Sequence, residues 1–163
     1  MDHYRRIGSQ GFTSHNLTFL AYAYACKGEH NRGLAFALKH FNHLAGGYQD
    51  MECGFTYLAV ARVLQNRNNI VSERLLERIA KVSGLPLDAG VFIQRALSIS
   101  SKEFFLETLI PALVEQGIYR HANYGPDQAL KSLTRARKLA QQYGMQGFVA
   151  IVDRTCARLQ LPV

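Results

Sequence analysis

Hydrophobic residues recur every three or four positions through most of this 163-residue chain. In the first such stretch, Leu17, Leu20, Ala21 and Tyr24 fall on one face of a helix, because the α-helix repeats every ~3.6 residues. Similar stretches follow, and glycine, asparagine or proline separates them, as is typical of helix ends. No stretch shows the strict alternation of polar and apolar residues that indicates a half-buried strand. The pattern predicts an all-α fold of about eight helices.

Residues suited to helix ends set the expected limits of these helices. Gly28 is expected to end the first helix, because glycine adopts the left-handed conformation found just past helix ends. Asn31 is expected to cap the second, since its side chain accepts a hydrogen bond from an unpaired amide. Later helices are expected near 50–65, 70–82, 87–97 and 146–159.

The region around Pro111 is the least regular part of the pattern. Ser100 and the acidic residue three positions later form a capping box that opens a sixth helix. Pro111 is expected to kink or divide that helix, because proline removes a backbone donor. Residues 117–125 are expected to form the longest irregular connection. Pro126 then opens a seventh helix, which Gly144 ends.

The spacing of the helices also predicts how they are arranged. Short connections make successive helices antiparallel, and broad apolar faces require cover on more than one side. Stacked helical hairpins satisfy both requirements. Residues 14–163 are therefore expected to form one helical-repeat domain, and residues 1–13, which lack periodicity, an N-terminal arm.

The first hairpin resembles a tetratricopeptide repeat. The family's large, leucine, small, tyrosine and glycine positions are occupied in register by Leu17, Leu20, Ala21, Tyr24 and Gly28. In the second helix Gly33 occupies the small position, whereas Ala37 and His40 replace the usual aromatic residue and alanine. The last two helices are similar in texture to the helical repeats of bacterial regulatory proteins. The resemblance implies a divergent tetratricopeptide-like superhelix that binds a protein or peptide.

In such a superhelix, the first helices of successive hairpins form the concave face. Polar and aromatic residues on those helices are the candidate partner contacts: Asn16, Tyr22, Tyr24, Arg62 and Gln65. Binding in a groove of this kind rests on a few aromatic or arginine anchors. Tyr24 has an alternative role, which is to pack between helices.

The formal charge is +7, and it is concentrated at the C-terminal end. Residues 118–163 hold seven lysines and arginines against two aspartates, a net charge of +5. The candidate basic patch consists of Lys131, Arg135, Lys138, Arg154 and Arg158. Such a patch suits an acidic protein or a nucleic acid, for which Tyr119, Tyr124 and Tyr143 offer stacking surfaces. A solvated helix face is the alternative explanation.

The sequence indicates no catalytic, cofactor or metal site. His40 and His43 share a helix face, but zinc needs further ligands, and Cys26 and Glu29 reach it only if the turn folds back. Cys26 with His30 lacks any sign of the open, base-assisted pocket that a thiolate nucleophile requires. Paired acids such as Glu73 and Glu77 are interspersed with arginines, which is typical of an exposed helix face.

These features together favour a binding protein over an enzyme. Three widely spaced cysteines are typical of a reducing compartment, and no apolar run approaches the ~20 residues of a membrane span, so a cytoplasmic protein is expected. The expected function is that of a regulator, adaptor or chaperone that binds a protein or peptide. A partner that contacts the basic residues of 118–163 is expected to be acidic. The alternative is a nucleic-acid-binding regulator that uses the basic C-terminal third. A homodimer is compatible with either.

Overall fold

The structure, a computed structural model, describes residues 16–45, 53–66, 71–102 and 105–162. Eight helices and no strand occur in these ranges, which confirms the all-α prediction. The helices are α1 (16–26), α2 (His30–Ala45), α3 (Cys53–Gln65), α4 (Glu73–Ser83), α5 (Ala89–Lys102), α6 (Leu106–Tyr124), α7 (Pro126–Gln142) and α8 (Gln146–Arg158). The expected arm over 1–13 and most of the asparagine-rich turn after α3 lie outside the described residues.

Several helix ends follow from local sequence. Gly28, Gly84 and Gly144 all have positive φ angles just past helix ends, where a side chain would be strained. Asn31, however, does not cap α2, which begins one residue earlier. Its side-chain oxygen instead accepts a hydrogen bond from the Ser72 amide at 2.8 Å, which ties the start of α2 to the N-cap of α4.

The predicted capping box at Ser100 is wrong. Helix α5 continues to Lys102, and Ser100 is a buried residue inside it. Its hydroxyl donates to the carbonyl oxygen of Ala96 at 2.8 Å, one turn earlier in the same helix. This back-bonding lets a serine sit within a helix rather than cap one.

Helix α6 runs without interruption past Pro111 and through most of the expected irregular connection over 117–125. Residues 108–117 are all buried, so α6 is the central helix of the described part of the chain. Gly117 is needed there because a Cβ at this position would lie 2.7 Å from Cγ of Leu133 on α7. The glycine that resembled a helix break is thus a site of close helix packing.

The helices form two hydrophobic clusters that meet at α6. The first cluster comes mainly from α1 to α5 and includes Ala112, and the second comes mainly from α6 to α8 and includes Leu109 and Leu113. Consecutive helices pack from α5 through α8, whereas α4 packs against α2, and α3 packs against α2, α5 and α6. None of the described helices combines the length and apolar content that a membrane span requires.

Candidate functional site

An open cleft lies between α5, α6 and α7. Its volume is about 440 Å³, and its polar lining residues are Gln94, Ser98, Ser101, Gln116, Arg120, Lys131, Ser132 and Arg135. A second cleft of about 460 Å³ shares Gln94, Gln116 and Arg120 with it and extends to Asp88, Tyr119 and Tyr124. We call the two together the α5–α7 cleft. It has a cationic end at α7 and a tyrosine end near the start of α5.

The floor of the cationic end is a hydrogen-bonded chain of side chains. Arg120 donates through Nη1 to the hydroxyl of Ser132 at 3.0 Å. Ser132 in turn donates to Oε1 of Gln116, also at 3.0 Å. Ser132 is 2% exposed and Gln116 8% exposed, so these two side chains are largely buried beneath Arg120. The chain holds the Arg120 guanidinium in place while leaving its other N–H groups available.

The cationic end holds three cations that are not neutralised by ion pairs within the described part of the chain. None of Arg120, Lys131 and Arg135 forms an ion pair with a described acidic residue. The acidic residue that lines the cleft, Asp88, belongs to the tyrosine end, where its carboxylate accepts a hydrogen bond from the Val91 amide at 3.0 Å. Field lines concentrate in a cleft lined by one sign of charge, so this end attracts anions.

The tyrosine end offers an aromatic surface. The rings of Tyr119 and Tyr124 meet edge to face, with their centroids 6.2 Å apart. Tyr124 is 66% exposed at the last position of α6, so a large part of its ring remains free for a ligand. Exposed tyrosines of this kind supply contact area at a low entropy cost on binding.

The structure divides the predicted basic patch. Lys131 and Arg135 line the cleft, whereas Arg154 and Arg158 are exposed on α8 and are not among its lining residues. Arg137 forms an ion pair of 2.7 Å with Asp153 of α8. Residues two positions apart in a helix differ by ~200° around its axis. Arg137 therefore lies on the side of α7 opposite Arg135, and α8 packs on the Arg137 side. Lys138 is exposed one turn beyond Arg135.

Three of the predicted partner contacts converge on Glu115 of α6, a residue that the sequence pattern does not single out as a candidate. Tyr22 donates its hydroxyl to Oε1 of Glu115 at 3.0 Å, and Arg62 donates to the same oxygen at 2.8 Å. Gln65 donates to Oε2 at 3.0 Å. We call these four residues the Glu115 cluster. It joins α1, α3 and α6.

The Glu115 cluster is largely buried inside the protein. The Glu115 carboxylate is fully buried, and the Arg62 side chain is 19% exposed. The polar atoms of Tyr22, Arg62 and Gln65 are therefore used within the protein, and their role as partner contacts stays a prediction. The one sequence signal for this cluster was a single acid in the apolar stretch LIPALVEQG.

The two remaining predicted contacts lie apart from the cluster. The Tyr24 ring stacks on Phe36 of α2, with centroids 5.5 Å apart and planes within 3°. The Arg32 guanidinium lies 4.6 Å from the Tyr24 ring centroid, a cation–π distance. Tyr24 thus packs between helices, the alternative role considered for it. Asn16 is exposed at the first described position of α1.

Burial raises the pKa of Glu115 above its ordinary value, although Arg62, Tyr22 and Gln65 oppose the shift. The folded state therefore binds more protons than the unfolded state between the two pKa values. Stability from this group is fully present below the ordinary pKa of a glutamate and falls as the pH rises through the pKa of Glu115 in the folded protein.

We expect the wild-type protein to lose stability relative to the Glu115→Gln variant as the pH rises from 4 to 8, as measured by urea denaturation at each pH. A gain in the stability of wild type relative to Glu115→Gln over this pH range would contradict the prediction. It would show that the attraction of Arg62 outweighs the effect of burial on the pKa of Glu115.

The described residues offer little support for catalytic or metal chemistry. No group of three or more His, Cys, Asp or Glu side chains in the described ranges is placed to hold a metal ion. His40 is buried, with Nδ1 2.9 Å from the Thr56 hydroxyl, whereas His43 is exposed. Desolvation raises the pKa of the Cys26 thiol, and Arg62 opposes this shift. A raised pKa keeps the thiol protonated, the reverse of what a nucleophile needs.

Comparison with protein-family models, with curated proteins and with solved structures finds no match to this chain. The α5–α7 cleft and the Glu115 cluster are the features of the described residues from which a function can be inferred.

Proposed function

We propose that this protein is a non-catalytic helical module that binds an acidic segment of another protein in the α5–α7 cleft, as a regulator, adaptor or chaperone does. The observation that carries the proposal is the cationic end of the cleft. Three cations, Arg120, Lys131 and Arg135, line one open groove and form no ion pair with a described acid. An acidic ligand supplies the missing charge.

The shape of the cleft supports a peptide ligand. Two clefts of about 440 and 460 Å³ continue into each other through Gln94, Gln116 and Arg120. Amide and hydroxyl side chains along this path can bond the backbone of an extended chain, whose N–H and C=O groups need partners. Tyr119 and Tyr124 then receive an apolar or aromatic side chain of the same segment, as anchors in protein interfaces do.

The helix packing supports a divergent, tetratricopeptide-like array as the scaffold. In stacked hairpins, equivalent helices of successive repeats lie side by side. Helix α4 packs on α2 and α5 packs on α3, which is pairing of this kind, whereas α3 and α4, the expected members of one hairpin, do not pack directly on each other. Within this proposal, α6 ends the regular part of the array and carries the cleft on its far side.

Nucleic acid is the competing ligand for the cationic end. Its binding needs a continuous basic track along the backbone of the strand. The division of the basic patch, with Lys131 and Arg135 at the cleft and Arg137 engaged by Asp153, shortens any such track. Affinity for nucleic acid would also fall steeply with salt, because bound counterions are released.

A pair of charge reversals tests the proposal. We expect Arg135→Glu to weaken binding of a fluorescent glutamate-rich peptide by about tenfold or more, because it places an acid where the ligand's charge lies. Arg154→Glu changes the net charge equally but alters an exposed residue outside the cleft, so about a twofold change or less is expected. Fluorescence anisotropy measures both, with circular dichroism as the check on folding.

Two outcomes would contradict this function. Equal losses in the two variants would show that overall charge, and not the cleft, governs binding. Binding of single-stranded RNA but not of the peptide, with a steep dependence on salt, would favour the nucleic-acid regulator instead.

A further inference from the structure

The residues at the cationic end of the α5–α7 cleft suit an anion that carries more than one negative charge. Arg120 approaches it from α6, and Lys131 and Arg135, one helical turn apart, approach it from α7. The three cations carry a charge of +3. A single carboxylate provides one negative charge and two acceptor oxygens. It would leave most of this positive charge uncompensated in the cleft.

A phosphoryl group matches the pocket better. A phosphorylated side chain carries about −1.5 to −2 charge at pH 7 and has three strong acceptor oxygens. Arginines bind such oxygens through paired, parallel N–H groups. Arg120 is prepared for this role because Ser132, itself bonded to Gln116, already holds one of its amino groups. Less side-chain entropy is then lost when a ligand binds.

The surroundings of the pocket indicate that the phosphoryl group belongs to a peptide. Ser98 and Ser101 of α5 line the same cleft and offer hydroxyls at its edge. The cleft continues past Arg120 to Tyr119 and Tyr124, so a chain that extends from the phosphoryl group has a surface to lie on. Free phosphate would use only the cationic end.

We propose that the cationic end of the α5–α7 cleft binds a phosphoserine or phosphothreonine side chain of the partner, through Arg120, Lys131 and Arg135. This inference rests on the proposed function, and it names the anionic group that the acidic segment presents. Binding would then depend on the phosphorylation of the partner.

Three peptides that differ at one position test the inference. Calorimetric titration would use a peptide with serine, with phosphoserine or with glutamate at the centre, flanked by the same residues, among them a tyrosine. We expect the phosphoserine form to bind at least about tenfold more tightly than the glutamate form, and the serine form most weakly. Inorganic phosphate is expected to compete only at concentrations far above those of the phosphopeptide.

Variants locate the binding to the pocket. Lys131→Gln and Arg135→Gln are each expected to lower the affinity for the phosphopeptide about tenfold, but to change the affinity for the serine peptide little. Arg154→Gln on α8 is the matched control, and we expect it to have no measurable effect. Circular dichroism spectra confirm that each variant is folded.

The outcomes separate this inference from the proposed function. If the glutamate and phosphoserine peptides bind equally well in the cleft, the inference is wrong and the proposed function stands. If no peptide binds, both are wrong. If inorganic phosphate binds as tightly as the phosphopeptide, the pocket serves the free ion and the peptide assignment is overturned.

Discussion

Glu115→Ala is expected to lower the free energy of unfolding by about 3–5 kcal/mol, the cost typical of breaking a buried ion pair by removing one partner. Glu115 is fully buried and accepts hydrogen bonds from three side chains. The truncation leaves the Arg62 charge without its counter-ion and removes the acceptor of the Tyr22 hydroxyl and the Gln65 amide. Because Arg62 retains 19% exposure and can reach water, the lower end of this range is expected.

Urea denaturation of Glu115→Ala is compared with that of two control variants, Glu107→Ala and Glu115→Gln. Glu107→Ala removes an exposed carboxylate from the first turn of the same helix, where it forms no ion pair with a described residue and lies near the positive end of the helix dipole. A loss of about 0.3–1 kcal/mol is expected there. Glu115→Gln retains acceptor capacity for Tyr22 and Arg62 and should lie between the two. A loss below about 1 kcal/mol for Glu115→Ala would mean that the Glu115 cluster does not hold α1, α3 and α6 together.

Gly33→Ala has the second largest expected effect, a loss of about 1–3 kcal/mol, as is usual when an atom is forced into a packed interior. A Cβ on Gly33 would lie 2.9 Å from the Ala21 carbonyl oxygen and 3.1 Å from the Ala25 amide nitrogen. Both are backbone atoms of α1, so neither can rotate aside. Helices α1 and α2 would have to separate, and part of their shared core would open.

Gly147→Ala is the matched control for this substitution. Gly147 lies within α8, and a Cβ there would have no atom within 4 Å. Alanine favours the helix over glycine by up to about 1 kcal/mol, so this variant is expected to be as stable as wild type or more stable. Thermal unfolding of both variants separates the clash from the helix propensity. A Gly33→Ala protein as stable as wild type would contradict the close approach of α1 and α2.

Helix ends were predictable where their cause is local. Gly28 and Gly144 end helices through their own backbone conformation, and Pro126 begins α7 through its fixed φ angle. The path of α6 was not predictable, because Gly117 is helical for a reason that lies on another helix. Leu133 fills the space that a side chain at 117 would need. Nothing in the residues around 117 indicates that contact.

The candidate site was predictable to a similar extent. The spacing of Lys131 and Arg135 places both on one face of α7, and the structure puts both in the cleft. The convergence of Tyr22, Arg62 and Gln65 was not predictable, since the carboxylate that gathers them is 50 to 93 residues away along the chain. Individually, each has the character of a surface contact. Only the fold shows that they share one acceptor.

The position of α6 has a consequence for how the two ends of the molecule communicate. Glu115 and Gln116 are neighbours in sequence, yet one faces the cluster with α1 and α3, and the other forms the floor of the cleft. The same helix also contributes to both hydrophobic clusters. Unfolding of α6 would disrupt both hydrophobic clusters, so we expect the described part of the chain to unfold as one cooperative unit. In that case a ligand that binds the cleft is expected also to stabilise α1 to α4 against unfolding, although it does not contact them.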